Sequence, residues 1–199
     1  MKHAIKSIAC VLLALILTLS FVGCMAEKNM VTDGIEKFDE ISSDYKISED
    51  DIQISESSDS TTINYTYAFD ISAGSSKITL LASADKKSKE FIKSSVWFVG
   101  SGQTADGEIS QSTVDDFCKI AGYSILSFTE LTEADADAII TELKVNLPEA
   151  YNGKTSLTKD VGNYRFGFSS TTIMTGFTIV NLNAKANSSA EDVTAKAAQ

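Results

Sequence analysis

The chain predicts an α+β fold: an antiparallel sheet of about five to seven strands with two central helices packed on one face. Three observations carry that prediction. Segments with period-two alternation lie in the first half and again in the last third of the chain. Two segments with helical periodicity and N-terminal capping patterns lie between them. The order of strands, then helices, then strands separates the two kinds of element instead of alternating them, which is how an antiparallel sheet is built.

The elements follow in order. In "TTINYTYAFDI", Thr61 to Ile71, the residues Ile63, Tyr65, Tyr67, Phe69 and Ile71 share one face, and Thr62, Asn64, Thr66, Ala68 and Asp70 share the other. That alternation of β-branched and aromatic residues predicts a half-buried strand. "DIQIS" precedes it across a Ser/Asp-rich turn and "SKITLLASA" follows across Ala73-Gly74-Ser75, which together make a meander. "SVWFVG" is a fourth strand, reached through the lysine-rich "DKKSKEFIK".

Next come the helices. In "SQSTVDDFCKIAG", Ser112 and Asp115 form a capping-box pattern and Gly122 is a C-terminal stop. Val114, Phe117, Cys118 and Ala121 form its apolar face. In "LTEADADAIITELKVNLP", Thr132 and Asp135 repeat the capping pattern, Ala136, Ile139, Ile140, Leu143 and Leu147 line one side, and Pro148 ends the helix. "YSILSF" between them reads as a strand. The last third reads as a hairpin, with Tyr164, Phe166 and Phe168 on one face of "NYRFGFS". "IMTGFTIVNL" is its apolar partner, bent at Gly176.

Composition bounds the chemistry. Of 199 residues, 43% are hydrophobic, enough for one core and one domain. The N-terminus carries Lys2 and Lys6 without an acid, then the apolar run Ile8 to Val22 with only Thr18 and Ser20 polar. A basic segment, an apolar run and a small residue before the cut make a secretory signal peptide. At its end, Phe21-Val22-Gly23-Cys24 resembles the lipobox of bacterial lipoproteins, with phenylalanine where leucine is usual. The resemblance covers the first tenth of the chain. It implies cleavage before Cys24 and diacylation of its thiol. Cleavage after Ala26 and retention of the apolar run as an anchor helix are the competing readings.

The expected organisation is a signal peptide at 1–23, an acylated cysteine and polar tether at 24–50, an α+β domain at 51–183 and a C-terminal tail at 184–199. Val31, Ile35 and Phe38 lie at helical spacing within the tether, where a short helix can dock on the domain. Removal of Lys2 and Lys6 takes the net charge from −10 to −12, which disfavours nucleic acid as a partner and disfavours adhesion to anionic lipid or wall polymers. His3 leaves with the signal peptide and is the only histidine, so the mature chain cannot run Ser-His-Asp or Cys-His chemistry. Cys10 also leaves and Cys24 is acylated. Cys118 then stands alone as a small buried hydrophobe, with no intrachain disulfide.

Motifs that carry chemistry are broken. "PEAYNGKTS" ends like a phosphate-binding loop but has Pro148 where the first glycine belongs, so Asn152-Gly153 reads as a turn. "EADAD", Glu133 to Asp137, begins like a calcium loop but puts Ala138 at the required glycine and Lys144 at the bidentate glutamate. Ser43-Lys46, Ser83-Lys86 and Ser156-Lys159 have nucleophile–base spacing, which chance supplies in a chain so rich in both residues. Gly100, Gly102 and Gly107 in "VGSGQTADGE" miss the dinucleotide spacing. Gly100, Gly102, Gln103 and Asp106 are nevertheless the ligand-contacting residues a glycine-rich loop would offer.

The functional expectation is a membrane-anchored lipoprotein on the extracytoplasmic face of the cell membrane. It acts without catalysis and without cofactor or metal, and binds an envelope protein or a small ligand. A small hydrolase using carboxylate or Ser/Lys chemistry is the alternative, and an inhibitor or assembly factor for a secreted enzyme is the third reading.

Overall fold

A computed structural model describes residues 29–56, 61–70, 77–99, 110–151, 155–170 and 174–184. These residues form one seven-stranded antiparallel sheet and three α-helices, an α+β fold. The helices are α1 (Met30–Ile41), α2 (Gln111–Phe128) and α3 (Glu133–Tyr151). The strands are β1 (Gln53–Glu56), β2 (Thr62–Asp70), β3 (Lys77–Asp85), β4 (Phe91–Val99), β5 (Thr155–Val161), β6 (Tyr164–Ser170) and β7 (Met174–Asn181). Their order across the sheet is β1-β2-β3-β4-β7-β6-β5. Two meanders, β1–β4 and β5–β7, therefore meet at a single β4–β7 seam, and the α2–α3 pair is the connection between them.

All three helices lie on one side of this sheet. Phe38 of α1 stacks on Phe69, Phe117 of α2 meets Phe98 edge to face, and Phe128 stacks on Phe91. Phe38, Phe91, Phe98 and Phe117 are among the largest fully buried side chains, each contributing about 1.5–3 kcal/mol by leaving water. The alternation predicted for β2 holds: Ile63, Tyr65 and Phe69 are buried toward the helices, with Tyr67 half-buried beside them.

Several local expectations are corrected. Gly122 does not stop α2, which runs to Phe128 and takes in "YSILSF" as helix instead of strand. A stop glycine needs a left-handed backbone, and among the described glycines only Gly162 has one. Gly122 is instead a small residue facing α3, where an added Cβ would sit 3.7 Å from Ile140. The N-cap of α2 is Ser110, whose hydroxyl accepts from Thr113 N at 3.2 Å, and not Ser112. Pro148 does not end α3, which reaches Tyr151; near a helix end a proline gives up one backbone hydrogen bond without breaking the helix at once. The C-terminal hairpin is a three-stranded meander, because Thr155–Val161 adds an edge strand. Thr132 and Asp135 cap α3 as predicted: Thr132 Oγ1 accepts from Asp135 N at 3.3 Å and Asp135 Oδ2 accepts from Thr132 N at 3.1 Å.

The segment read as a tether holds the predicted short helix, and the packed core reaches upstream of residue 51. Val31 and Phe38 are fully buried, and Ile47 joins the same core. Asn29 builds a capping box with Thr32 and donates from Nδ2 to the Tyr65 hydroxyl at 2.6 Å. Gly34 lets α1 approach α2, since a Cβ there would overlap the Phe128 ring. Cys24 and the tail beyond 184 lie outside the described residues.

Candidate functional site

The predicted ligand residues Gly100, Gly102, Gln103 and Asp106 lie outside the described residues, as does Asn152-Gly153. The structure does fix where their loop starts and ends, between Val99 and Ser110 at the end of the sheet away from Asn29. Val99 and Met174 are register partners there, exposed at 52% and 43%.

The most distinctive surface is the sheet face turned away from the helices. Period two assigns its residues, and the register aligns them into rows across the sheet. One row runs Thr66, Leu81, Ser95, Thr178, Gly167, Thr158. The next runs Ala68, Thr79, Trp97, Gly176, Ser169. No charged residue stands in either row, in a chain that is 22% charged. Charge returns beside these rows, at Lys93 on the central strand β4 and further out, where Lys77 pairs with Asp70 at 3.1 Å and Arg165 with Asp160 at 2.8 Å. Among the described residues no helix covers this face.

Trp97, the only tryptophan, is half-buried at its centre. Its register partner on β7 is Gly176, and Gly167 on β6 lies on the diagonal. A Cβ at Gly176 would meet Trp97, Ser169 and Val96 only at 3.8–3.9 Å, so packing does not demand glycine there. The two glycines leave a shallow floor beside an indole, with Thr and Ser hydroxyls around it. Flat apolar or sugar-like surfaces and extended backbone are what such a face can hold. Alternation made the tryptophan visible in the sequence, but not which face the helices would leave uncovered.

Catalytic geometry does not assemble among the described residues. The three lysines of the Ser–Lys spacings are each held by a carboxylate: Lys46 by Asp39, Lys86 by Glu56 at 3.1 Å and Lys159 by Glu142 at 2.6 Å. Ser83 Oγ donates to Asn64 Oδ1 at 2.7 Å, and Ser43 Oγ to Asp44 at 3.1 Å. A shallow cleft of about 320 Å³, counting solvent at its mouth, lies between α3 and β5–β6 on Leu143, Leu157, Phe166 and Phe168. Glu142 is its single carboxylate, in the pair with Lys159. Tyr45 donates to Asp116 Oδ1 at 2.6 Å, and burial followed by that carboxylate pushes its phenol well above the ordinary range, so it stays a donor. Cys118 is 2% exposed, and burial pushes its thiol up to about 11, against a reactive role. No group of three or more His, Cys, Asp or Glu with metal-holding geometry occurs among the described residues. No described helix is long and apolar enough to cross a membrane.

Comparison of the chain with known protein families, with curated proteins and with solved structures finds no match.

Proposed function

We propose that the chain is a lipid-anchored extracytoplasmic module that binds an envelope partner without catalysis. The observation that carries the binding role is the pair of uncharged rows around Trp97 on the helix-free sheet face. Acidic proteins keep charge over most of their surface for solubility. A contiguous uncharged patch of two rows with an aromatic in it is where an interface core would form, since such cores are depleted in charge and enriched in aromatics. The anchoring role is supported by Phe21-Val22-Gly23-Cys24 at the end of the apolar run. Dual acylation holds a protein on a bilayer far more firmly than one chain.

The test places a photoreactive phenylalanine at Thr79 or Thr178 on this face, and at Lys144 on α3, in full-length protein expressed in a bacterial host. A defined crosslinked product from Thr79 and Thr178, missing from Lys144 and lost with Trp97→Ser, is the expected result. Equal labelling from all three positions, or none, removes the sheet face as the binding surface. Labelled fatty acid incorporated by the parent chain and lost in Cys24→Ala checks the anchor separately.

A further inference from the structure

We propose that the open sheet face pairs with the same face of a second copy of this chain, about a two-fold axis that runs along the strands between β4 and β7. The inference rests on the reading of that face as an interface given above, and names its occupant. A two-fold interface is one patch used twice, so a bulky residue on it needs a recess on the same patch, placed across the axis. The strand register meets that requirement. An axis parallel to β4 and β7 and midway between them exchanges β4 with β7 and β3 with β6. It leaves each residue's height along the strands unchanged.

Trp97 and Gly176 are register partners, so the axis sets the indole of each copy over Gly176 of the other. In the adjoining row, Leu81 on β3 comes over Gly167 on β6. The two bulkiest members of the uncharged rows therefore stand opposite the two glycines in them, the large-against-small match that packed layers need. Both recesses are open within one chain. The nearest atom of Trp97 to a Cβ built at Gly176 is its own Cβ, at 3.8 Å, so the indole does not lie over that glycine. At Gly167 such a Cβ meets only the Thr178 side chain among the described residues. At one end of the strands Val99 comes over Met174, which covers two large apolar side chains that the single chain leaves exposed.

Charge and size agree with the pairing. The chain carries a net charge of −10, and two copies approach most cheaply where charge is absent. In the next row Lys93 comes over Val180, near the end of β4, where its long stem can carry the amine out to water. Six strands of seven to nine residues, spaced about 4.8 Å apart, make a face of about 700 Å², close to the ~800 Å² that each side gives to a standard interface. Sheets packed face to face cross at about 30°, so facing pairs hold best beside the axis, where Trp97 and Gly176 stand.

The test co-expresses two full-length copies with different tags in a bacterial host, one of them carrying the photoreactive phenylalanine at Thr178. A crosslinked product with the mass of two chains and both tags is expected. Trp97→Ser in both copies, or Gly176→Leu in both, should cut that product at least about fivefold, by removing the indole or by filling its seat. Trp97→Ser in one copy with Gly176→Leu in the other leaves one indole facing one open seat, and the new leucine facing the space of the lost indole. The product should then return, which also shows that both variants fold. A mixed pair that gives no more product than either matched pair overturns the two-fold arrangement. A product joining Thr178 to a different envelope protein overturns the second copy as occupant and leaves the binding face standing, whereas no product at all overturns both.

Discussion

The two faces of the sheet share strands, register and backbone, and differ in what each alternate residue was chosen to do. Toward the helices stand Phe69, Ile78, Leu80, Val96, Phe98, Phe166, Phe168, Phe177 and Ile179, nearly all below 5% exposure. Toward the other side stand Thr66, Thr79, Ser95, Trp97, Gly167, Gly176 and Thr178. Stability is concentrated on the first face by large apolar volume. The second face forgoes that volume, so its residues are free to answer to something outside the fold. An antiparallel sheet permits this division because period two decouples its faces.

The comparison breaks most sharply at Phe117, fully buried on α2 against Phe98. Phe117→Ala is expected to lower unfolding free energy by about 3–5 kcal/mol in denaturant titration. A loss below about 1 kcal/mol would mean that the helix layer is not the stabilising one. The glycines give the next contrast. Gly34→Ala forces a Cβ into the Phe128 ring, and overpacking of about 1–3 kcal/mol should outweigh the helix propensity gained. Gly176→Ala meets only ordinary contacts and replaces a glycine within a strand, so stability should rise by about 0.5–1 kcal/mol. A partner that uses the floor beside Trp97 would nevertheless bind this variant less well.

Two smaller effects sharpen the picture. Cys118 sits in the helix layer with its thiol raised to about 11, so a thiol reagent at pH 8 should find about a hundredth of the ordinary thiolate, and access only on opening. Labelling as fast as that of a small thiol would place α2 outside the core. Asp85 has its carboxyl held below the usual range, chiefly by the Ser88 backbone N–H. Its folded value being the lower one, its stabilisation is fully present above the unfolded carboxylate range and lost as pH falls through the depressed value. Asp85→Asn should flatten that acid limb slightly, and a thermal-unfolding series from pH 5 to 2 measures it.

What the sequence made legible follows the strength of local patterns. β2 could be read from Ile63 to Phe69 because both its period and its residue types agree, and the Thr132–Asp135 cap because the side chains that make it are four residues apart at most. β5 could not: as an edge strand it buries little, and Leu157 and Val161 are its only large apolar residues. Gly122 misled because a glycine after an apolar face signals a stop, and only the crossing of α3 supplies the other reason for it. Asn29 and Met30 carried no signal at all, since their partners, Tyr65 and Lys89, are dozens of residues away. The Trp97 face was half legible. Alternation in "SVWFVG" sets Trp97 on the opposite face from Val96 and Phe98 without saying which face is core, and the uncharged rows exist only once seven strands are in register. The loop of Gly100, Gly102, Gln103 and Asp106 lies outside the described residues, so the candidate surface rests on strands instead.

The seam between β4 and β7 bears on how the chain comes to be folded as it is made. Within each meander, neighbours such as Tyr65 and Ala82 are close in sequence, whereas Trp97 and Gly176 are about 80 residues apart. The first meander can zip early, but the outer edge of β4 stays without its partner until nearly the whole polypeptide has been made. That edge is the apolar strand whose own backbone would template pairing with another chain. A truncation ending before Thr155 should therefore aggregate, while the same stretch followed by β5–β7 folds; the last 30 or so residues of the sheet act as the chain's own chaperone for its middle.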